Sequence, residues 1–382
     1  MKALINGTII LEDRQITGGA LLFDRKVKGI VSREEAERLA DEVIDARGLY
    51  VSPGFIDVHI HGFAGEDACD GDPDGLRRLA EALTANGVTS FLPTTMTVPW
   101  PEIEKALDTI RGLMRESASE DFEGAVPLGC HLEGPFISPA KKGAQRGDCV
   151  LPPDADKALK HADVIRLLTY APEMDEGFRF TRRIREESDI VLSIGHTSAD
   201  MDTAMEALHL GADHFTHTFN AMTAMSHRAP GVVGAALCSD AYTELIADTF
   251  HVHPALFDLM ARVKGDRLVL ITDCLRAGGL SDGEYELGGQ KFRLRGIQCT
   301  LEDGTIAGSV MRMNTAVRNL RTYASLPVWQ AVRAASLSPA RSVRADKCKG
   351  SLKTGQDADI VLFDDDIGIK QVYIGGRLVR RA

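Results

Sequence analysis

Between residues 53 and 352, short apolar runs rich in β-branched residues alternate with stretches of helical periodicity. That alternation is the pattern of βα units laid around a parallel sheet. Eight runs qualify as strands, near residues 55–61, 88–95, 127–133, 164–170, 190–196, 213–217, 243–251 and 267–273. Helical stretches between them include 74–85, 102–115 and 202–210, the last stopped by Gly211 in the manner of a C-cap. Eight parallel strands are the number that closes a (β/α)8 TIM barrel. A doubly wound open sheet is the competing arrangement, but it carries a Gly-rich phosphate loop after its first strand. This chain has His59-Ile60-His61-Gly62 there. The two ends have a different texture: residues 1–52 and 353–382 break into short alternating segments punctuated by Gly and Asp, as strands joined by tight turns do. These two strand sets are expected to pair into one small β domain, leaving 53–352 as the barrel.

Composition narrows the function classes. A chain of 382 residues, 44% hydrophobic and 26% charged, is long enough for a sizeable core and has soluble globular usage. No apolar run reaches the roughly 18 residues of a membrane span. The opening Met1-Lys2-Ala3-Leu4-Ile5-Asn6-Gly7 turns polar before a signal-peptide apolar region forms, so a cytoplasmic location is expected. The net charge of −11, without a Lys/Arg stripe interleaved with aromatics, argues against nucleic acid as a partner. The same charge repels a phosphorylated metabolite at long range, so any phosphate site has to be built from local cations or backbone donors. Seven cysteines, odd in number and without a C-x-x-C pair, read as reduced packing residues.

The candidate chemistry sits at strand ends. His59 and His61 at the end of the first strand are two residues apart, so both side chains take the same face. Paired imidazoles followed by Gly62 point to a zinc-like ion more strongly than a lone core histidine does. The third strand ends His131-Leu132-Glu133-Gly134-Pro135, and a carboxylate in that apolar setting needs a cation or donor. The choices are a metal, which Glu133 has two oxygens to bridge, or an ion pair with a lysine such as Lys141. His131 is the less certain ligand of that pair, because one member of such a pair often only supports the other. His196 and His217 close strands five and six; His217 is preferred over His214 as the residue nearer the strand end. Asp273 closes the eighth strand and is either a helix N-cap or a catalytic carboxylate.

Taken together, the segments Ser52–Gly62, His131–Phe136, Gly195–Thr197, Thr216–Met222, Ile271–Asp273 and Gly308-Ser309 resemble the N-acetylglucosamine-6-phosphate deacetylases of the amidohydrolase superfamily. The resemblance runs from the N-terminal segment to Gly355-Gln356-Asp357-Ala358-Asp359, nearly the whole chain. It implies a distorted (β/α)8 barrel with a β-sandwich built from both termini, residues 1–52 plus 353–382. It implies that Glu133, His196 and His217 hold one divalent metal, zinc or iron, and that His59 and His61 hold a second with Glu133 bridging. It further implies that Ala144, Asn220, Ala221, Arg228, His251 and the Ala307-Gly308-Ser309 segment contact a sugar phosphate, with Arg228 supplied across a homodimer interface. The implied reaction is hydrolysis of N-acetylglucosamine 6-phosphate to glucosamine 6-phosphate and acetate, with Asp273 carrying the proton. Three positions depart from the family pattern: Gln145 where single-metal members have a histidine, Ala229 in place of the usual glutamate, and Asn314 at the end of an altered Val310–Asn314 stretch. These departures bear on substrate preference. The alternatives are a deacetylase of N-acetylgalactosamine 6-phosphate or another N-acyl compound, and a catalytically dead scaffold of the same fold. A hydantoinase-type site, bridged by a carboxylated lysine on strand four, is disfavoured because Val164–Tyr170 contains no lysine.

Overall fold

In a computed structural model, which describes residues 1–381, the chain is a mixed α/β protein organised on parallel strands. Numbering only these strands, β1 is Phe55–Ile60, β2 Val88–Pro93, β3 Cys130–Glu133, β4 Ile165–Tyr170, β5 Val191–Ile194, β6 His214–Phe215, β7 Tyr242–Ile246 and β8 Leu268–Ile271. β3 to β8 form one six-stranded sheet in sequential order, every neighbour parallel. β1 and β2 pair parallel in a second sheet with the short Val126–Pro127 segment outside β2. Parallel bridges Thr94↔His131 and Ile60↔Cys274 link the two sheets at both edges. Nearly every residue of these strands is buried, the signature of a parallel sheet covered on both faces.

The helices form because their apolar residues recur at helical spacing. Trp100–Glu116 buries Ile103, Ala106, Leu107, Ile110 and Leu113 along one stripe. Pro73–Leu83 starts at the Asp72 N-cap, with Pro73 at a position where a missing N–H costs nothing. No helix among the described residues is long and apolar enough to cross a membrane.

Both termini are strand-built, as the texture of the sequence suggests. Lys2–Ile5 lies between Ala20–Phe23 and Glu42–Asp45 in a four-stranded sheet that Val27–Val31 completes. In a six-stranded sheet, Tyr50–Pro53 from the N-terminal segment pairs antiparallel with Ile360–Phe363 from the tail. Leu4, Leu21 and Phe23 of the first sheet share one apolar cluster with Val51, Ile360, Leu362 and Tyr373 of the second. An antiparallel sheet of Gly283–Leu287, Gln290–Arg295 and Gln298–Leu301 has no counterpart in the sequence reading.

The tail is fixed by a buried ion cluster. Lys349 Nζ lies 2.7 Å from Asp359 Oδ2 and 2.9 Å from Asp357 Oδ2, while Asp359 Oδ1 accepts the Gly375 N–H at 2.9 Å. Burial opposes the charge on Lys349, but the two aspartates outweigh it and raise its pKa. Removing the ammonium leaves buried Asp359 without a cation, while Asp357 keeps Lys26 at 2.6 Å. Lys349→Ala is therefore expected to lower unfolding free energy by about 3 kcal/mol in chemical denaturation, against near-neutral replacement of exposed Lys353.

Candidate metal centre

Six of the expected site residues converge at the C-terminal ends of the parallel strands. His59 is in β1 and His61 directly follows it; Glu133 is the last residue of β3. His196, His217 and Asp273 each stand two residues beyond the ends of β5, β6 and β8, so these strands are shorter than their apolar runs suggest. The seventh run also overshoots: β7 ends at Ile246 and His251 belongs to the loop after it. His196, His217 and Asp273 have φ of 47°, 27° and 50°, left-handed values that a non-glycine residue adopts at a cost. This kink turns each side chain from the strand into the common centre. No helix opens after Asp273, which removes the N-cap alternative.

The donor set is tight and buried. Glu133 Oε1 lies 3.1 Å from His217 Nε2, 3.2 Å from His196 Nε2 and 3.3 Å from His59 Nε2. Glu133 Oε2 lies 3.3 Å from His61 Nε2, and Asp273 Oδ1 lies 3.2 Å from the same nitrogen. The far nitrogens decide the tautomers. Nδ1–H of His61 donates to Thr94 O at 3.2 Å, that of His196 to Lys141 O at 2.9 Å, and that of His59 to Glu244 Oε2 at 3.0 Å. A neutral ring held this way turns the Nε2 lone pair inward. Nε2 of His196 faces that of His217, whose Nδ1 has no partner, at 3.0 Å, and buried His59 Nε2 has no hydrogen-bond partner. Lone pairs and carboxylate oxygens pointing at one another are what a divalent cation satisfies. His59, His61 and Glu133 form one such group; Glu133, His196 and His217 form another.

Electrostatics agree with that reading. Burial opposes ionisation of Glu133, yet His59 and the close contacts with His196 and His217 hold its pKa well below the usual carboxylate range. Burial likewise opposes charge on His61, but Asp273 and Glu133 raise its pKa to about 9. The site is built to hold positive charge beside its two carboxylates. The Lys141 alternative for Glu133 does not hold: Lys141 offers its carbonyl to His196, and Glu133 has no Lys or Arg partner among the described residues.

A cavity of about 360 Å³ opens onto this centre. Ala144, Asn220, Ala221, His251, Ala307 and Gly308 line it. Ser309 is fully buried behind the wall, donating from Oγ to Thr272 O at 2.5 Å. Arg228 lies on an exposed loop and does not line the cavity of its own chain. His251 is steadied by Asp248, whose Oδ2 lies 2.6 Å from His251 Nδ1. Burial works against a charged His251, but the Asp248 hydrogen bond raises its pKa.

The sequence reading missed Glu244 and Asp57, both fully buried. Asp57 accepts from Thr272 Oγ1 at 2.6 Å and, by burial, has its pKa pushed up to about 7. The usable signal was a charged residue inside an apolar strand run. Asn314 donates to Ile367 O away from the cavity, and Ala229 is exposed on the Arg228 loop. Gln145 reaches the centre itself: its Nε2 donates to Glu133 Oε2 at 2.6 Å, and its Oε1 accepts the Thr97 N–H at 2.6 Å. Gln145→Ala leaves that buried N–H unpaired and Glu133 one donor short. In metal-free protein it is expected to cost about 2 kcal/mol of unfolding free energy in a denaturant titration.

Buried histidines and carboxylates gathered at the ends of parallel strands are the mark of a metal-dependent hydrolase class. The amidohydrolase family model matches residues 50–379, and the chain belongs to that family. It is 38% identical to N-acetylglucosamine-6-phosphate deacetylase of Bacillus subtilis over 365 residues, 94% of this chain and 92% of the relative. It is 36% identical to N-acetylgalactosamine-6-phosphate deacetylase of Escherichia coli O157:H7, with coverage of 96% and 95%. Among solved structures it is similar to N-acetylglucosamine-6-phosphate deacetylase from Pasteurella multocida, with a TM-score of 0.92 and 29% identity over the whole of both chains. A variant of the same enzyme from Mycobacterium smegmatis, in complex with N-acetyl-D-glucosamine-6-phosphate, matches with a TM-score of 0.89 and 29% identity over 99% of each chain.

Proposed function

We propose that this chain is a metal-dependent N-acetylglucosamine-6-phosphate deacetylase, releasing acetate and glucosamine 6-phosphate. The observation that carries the reading is the convergence of four histidines and Glu133 beside Asp273, with all of these but His59 lining the cavity. Full-length relatives at 34–38% identity bear the same activity in their names. The two bridged parallel sheets are read as one eight-stranded barrel over residues 53–352, and the terminal sheets as a sandwich of 1–52 with 353–382. Two ions per chain, zinc or iron, fit the two overlapping ligand groups that share Glu133.

When bound there, divalent ions supply Lewis acidity, which lowers the pKa of water toward about 7 and polarises an acyl carbonyl. The chain's own residues do the rest. Asp273, on the cavity wall and within 3.2 Å of His61 Nε2, accepts the proton of the attacking water and passes it to the leaving nitrogen. His251, its Nδ1 tied to Asp248, turns Nε2 to the cavity as a donor for the acyl oxygen or the phosphate. Gln145 is committed to Glu133 and serves the ligand rather than the oxyanion. Asn220, Ala221 and the Ala307-Gly308 segment shape the sugar pocket, with Ala144 on the opposite loop. Arg228, exposed on its loop, serves the cavity of a second copy in a homodimer.

The second reading is an N-acetylgalactosamine 6-phosphate preference, favoured by the 36% identity to the Escherichia coli enzyme of that name. Acetate release from a panel of N-acetylhexosamines, with and without a 6-phosphate, on metal-quantified protein decides between them. The gluco phosphosugar is expected to turn over fastest; faster galacto turnover selects the second reading, and no acetate from any member overturns both. Asp273→Asn keeps the side-chain size but carries no proton, so kcat is expected to fall at least about 10²-fold with metal content retained. Arg228→Ala is expected to raise KM for the phosphosugar far more than for the unphosphorylated sugar, since Arg supplies a charge-assisted contact to phosphate. Mixing the Arg228→Ala and Asp273→Asn chains then restores part of the activity.

A further inference from the structure

We infer that Glu244, in the middle of β7, is a positioning residue that ties the two halves of the metal centre together through a single oxygen. Glu244 Oε2 accepts from His59 Nδ1–H at 3.0 Å and from the His217 backbone N–H at 2.8 Å. His59 is grouped with His61 and Glu133, and also with His131 and Glu244 itself, whereas His217 is grouped with Glu133 and His196. Glu244 is fully buried, and its only ion-pair contacts among the described residues are His59 and, at 3.7 Å, His214. A carboxylate placed there without Lys or Arg is costly unless it performs a task. The geometry supplies two tasks. First, the contact fixes the hydrogen of His59 on Nδ1 and turns the Nε2 lone pair to the centre; a carboxylate behind an imidazole also makes that nitrogen a stronger donor. Second, the contact to the His217 N–H holds a residue whose φ of 27° is unfavourable without outside support.

The other carboxylate oxygen of Glu244, Oε1, has no hydrogen-bond partner and lies 3.7 Å from His214 Nδ1. His214 Nδ1 lies 3.1 Å from Ser193 Oγ, and Ser193 Oγ lies 2.6 Å from Thr216 Oγ1, so the layer beneath the centre is held by hydroxyls. His131 packs edge-on to His59 with ring centroids 4.5 Å apart, which limits rotation of the His59 ring. Glu244 does not line the cavity. It therefore acts through His59 and His217, not on substrate.

This role rests on the two-ion reading above, and the test separates the two. Zinc binding to metal-free protein is measured across buffered free-zinc concentrations, with bound metal counted by mass spectrometry and cobalt substitution read by visible absorption. Wild type is expected to hold two ions. Glu244→Gln keeps the shape and one accepting oxygen but removes the charge. It is expected to weaken one ion by about 10–100-fold, the usual effect of losing a partner behind a ligand. The cobalt absorption of that site should shift, while the oxygen that Gln retains still accepts the His217 N–H, so the other ion stays closer to its wild-type affinity. His59→Asn should lose the same ion, and adding Glu244→Gln to it should change the remaining ion little. Glu244→Asp, which keeps the charge on a shorter side chain, should bind the affected ion between wild type and Gln; it supplies the same comparison if the Gln chain does not fold. Two ions bound by Glu244→Gln as tightly as by wild type, with an unchanged cobalt spectrum, overturns the Glu244 role alone. Equal weakening of both ions, or a full Glu244→Gln loss persisting in the His59→Asn background, also overturns it. One ion in wild type that survives His59→Asn overturns the two-ion reading and the Glu244 role with it.

Discussion

Everything in this structure is arranged around the burial of Glu133. The carboxylate is 2% exposed, and no lysine or arginine meets it among the described residues. Four imidazoles and the Gln145 amide surround it instead. A charge in that environment is tolerable only with cationic compensation, from protonated histidines in the bare protein or from divalent ions in the loaded one. The choice of neutral, lone-pair-bearing partners over a permanent ion pair distinguishes a binding centre from a salt bridge. An arginine would satisfy Glu133 for good; histidines leave it able to hold a cation.

That demand explains the irregular backbone around the site. A flat strand end would carry His196, His217 and Asp273 along the sheet, alternating between its faces. The left-handed turn at each redirects the side chain and costs on the order of 1–3 kcal/mol. The surrounding structure holds the turns in place. His196 O accepts from Ser138 N at 2.9 Å, His217 N donates to Glu244, and Asp273 is gripped from both sides, donating from N to His59 O and accepting from Ser309 N. Ser309 is thus a support for Asp273 more than a wall of the cavity.

The sequence made the architecture legible because parallel strands buried on both faces must be apolar and the helices between them must be striped. Histidine and carboxylate at strand ends interrupt that pattern, which is why His59, His61, Glu133, His196, His217 and Asp273 stood out. Strand lengths were less legible: an apolar run continues through a left-handed turn without any change in composition, so β5 and β8 seemed to include His196 and Asp273. The sheet over 283–301 was hidden among polar, charged residues on an exposed hairpin. Glu244 escaped notice because a single polar residue in an apolar run has no periodic signature, and its role depends on neighbours 27 and 185 residues away.

The layer under the metal centre completes the argument. Parallel strands buried on both faces are filled mainly by apolar side chains, yet here His131 Nε2 meets Thr169 Oγ1 at 2.7 Å and Thr169 Oγ1 meets Thr216 Oγ1 at 2.7 Å. Small hydroxyls leave room for close backbone approach: a Cβ on Gly195 would come within 2.6 Å of Thr216 and 2.9 Å of Thr169. Gly195 immediately precedes His196, so the hydroxyl layer and the missing side chain together set how deeply that ligand enters the centre. An apolar layer of the same volume would pack as well, but it would offer nothing to orient His131 or His214. The polar floor is therefore best understood as the extension of the ligand set into the core. It fixes His131 and His214 from below, and His131 in turn packs edge-on against the His59 ring of the centre.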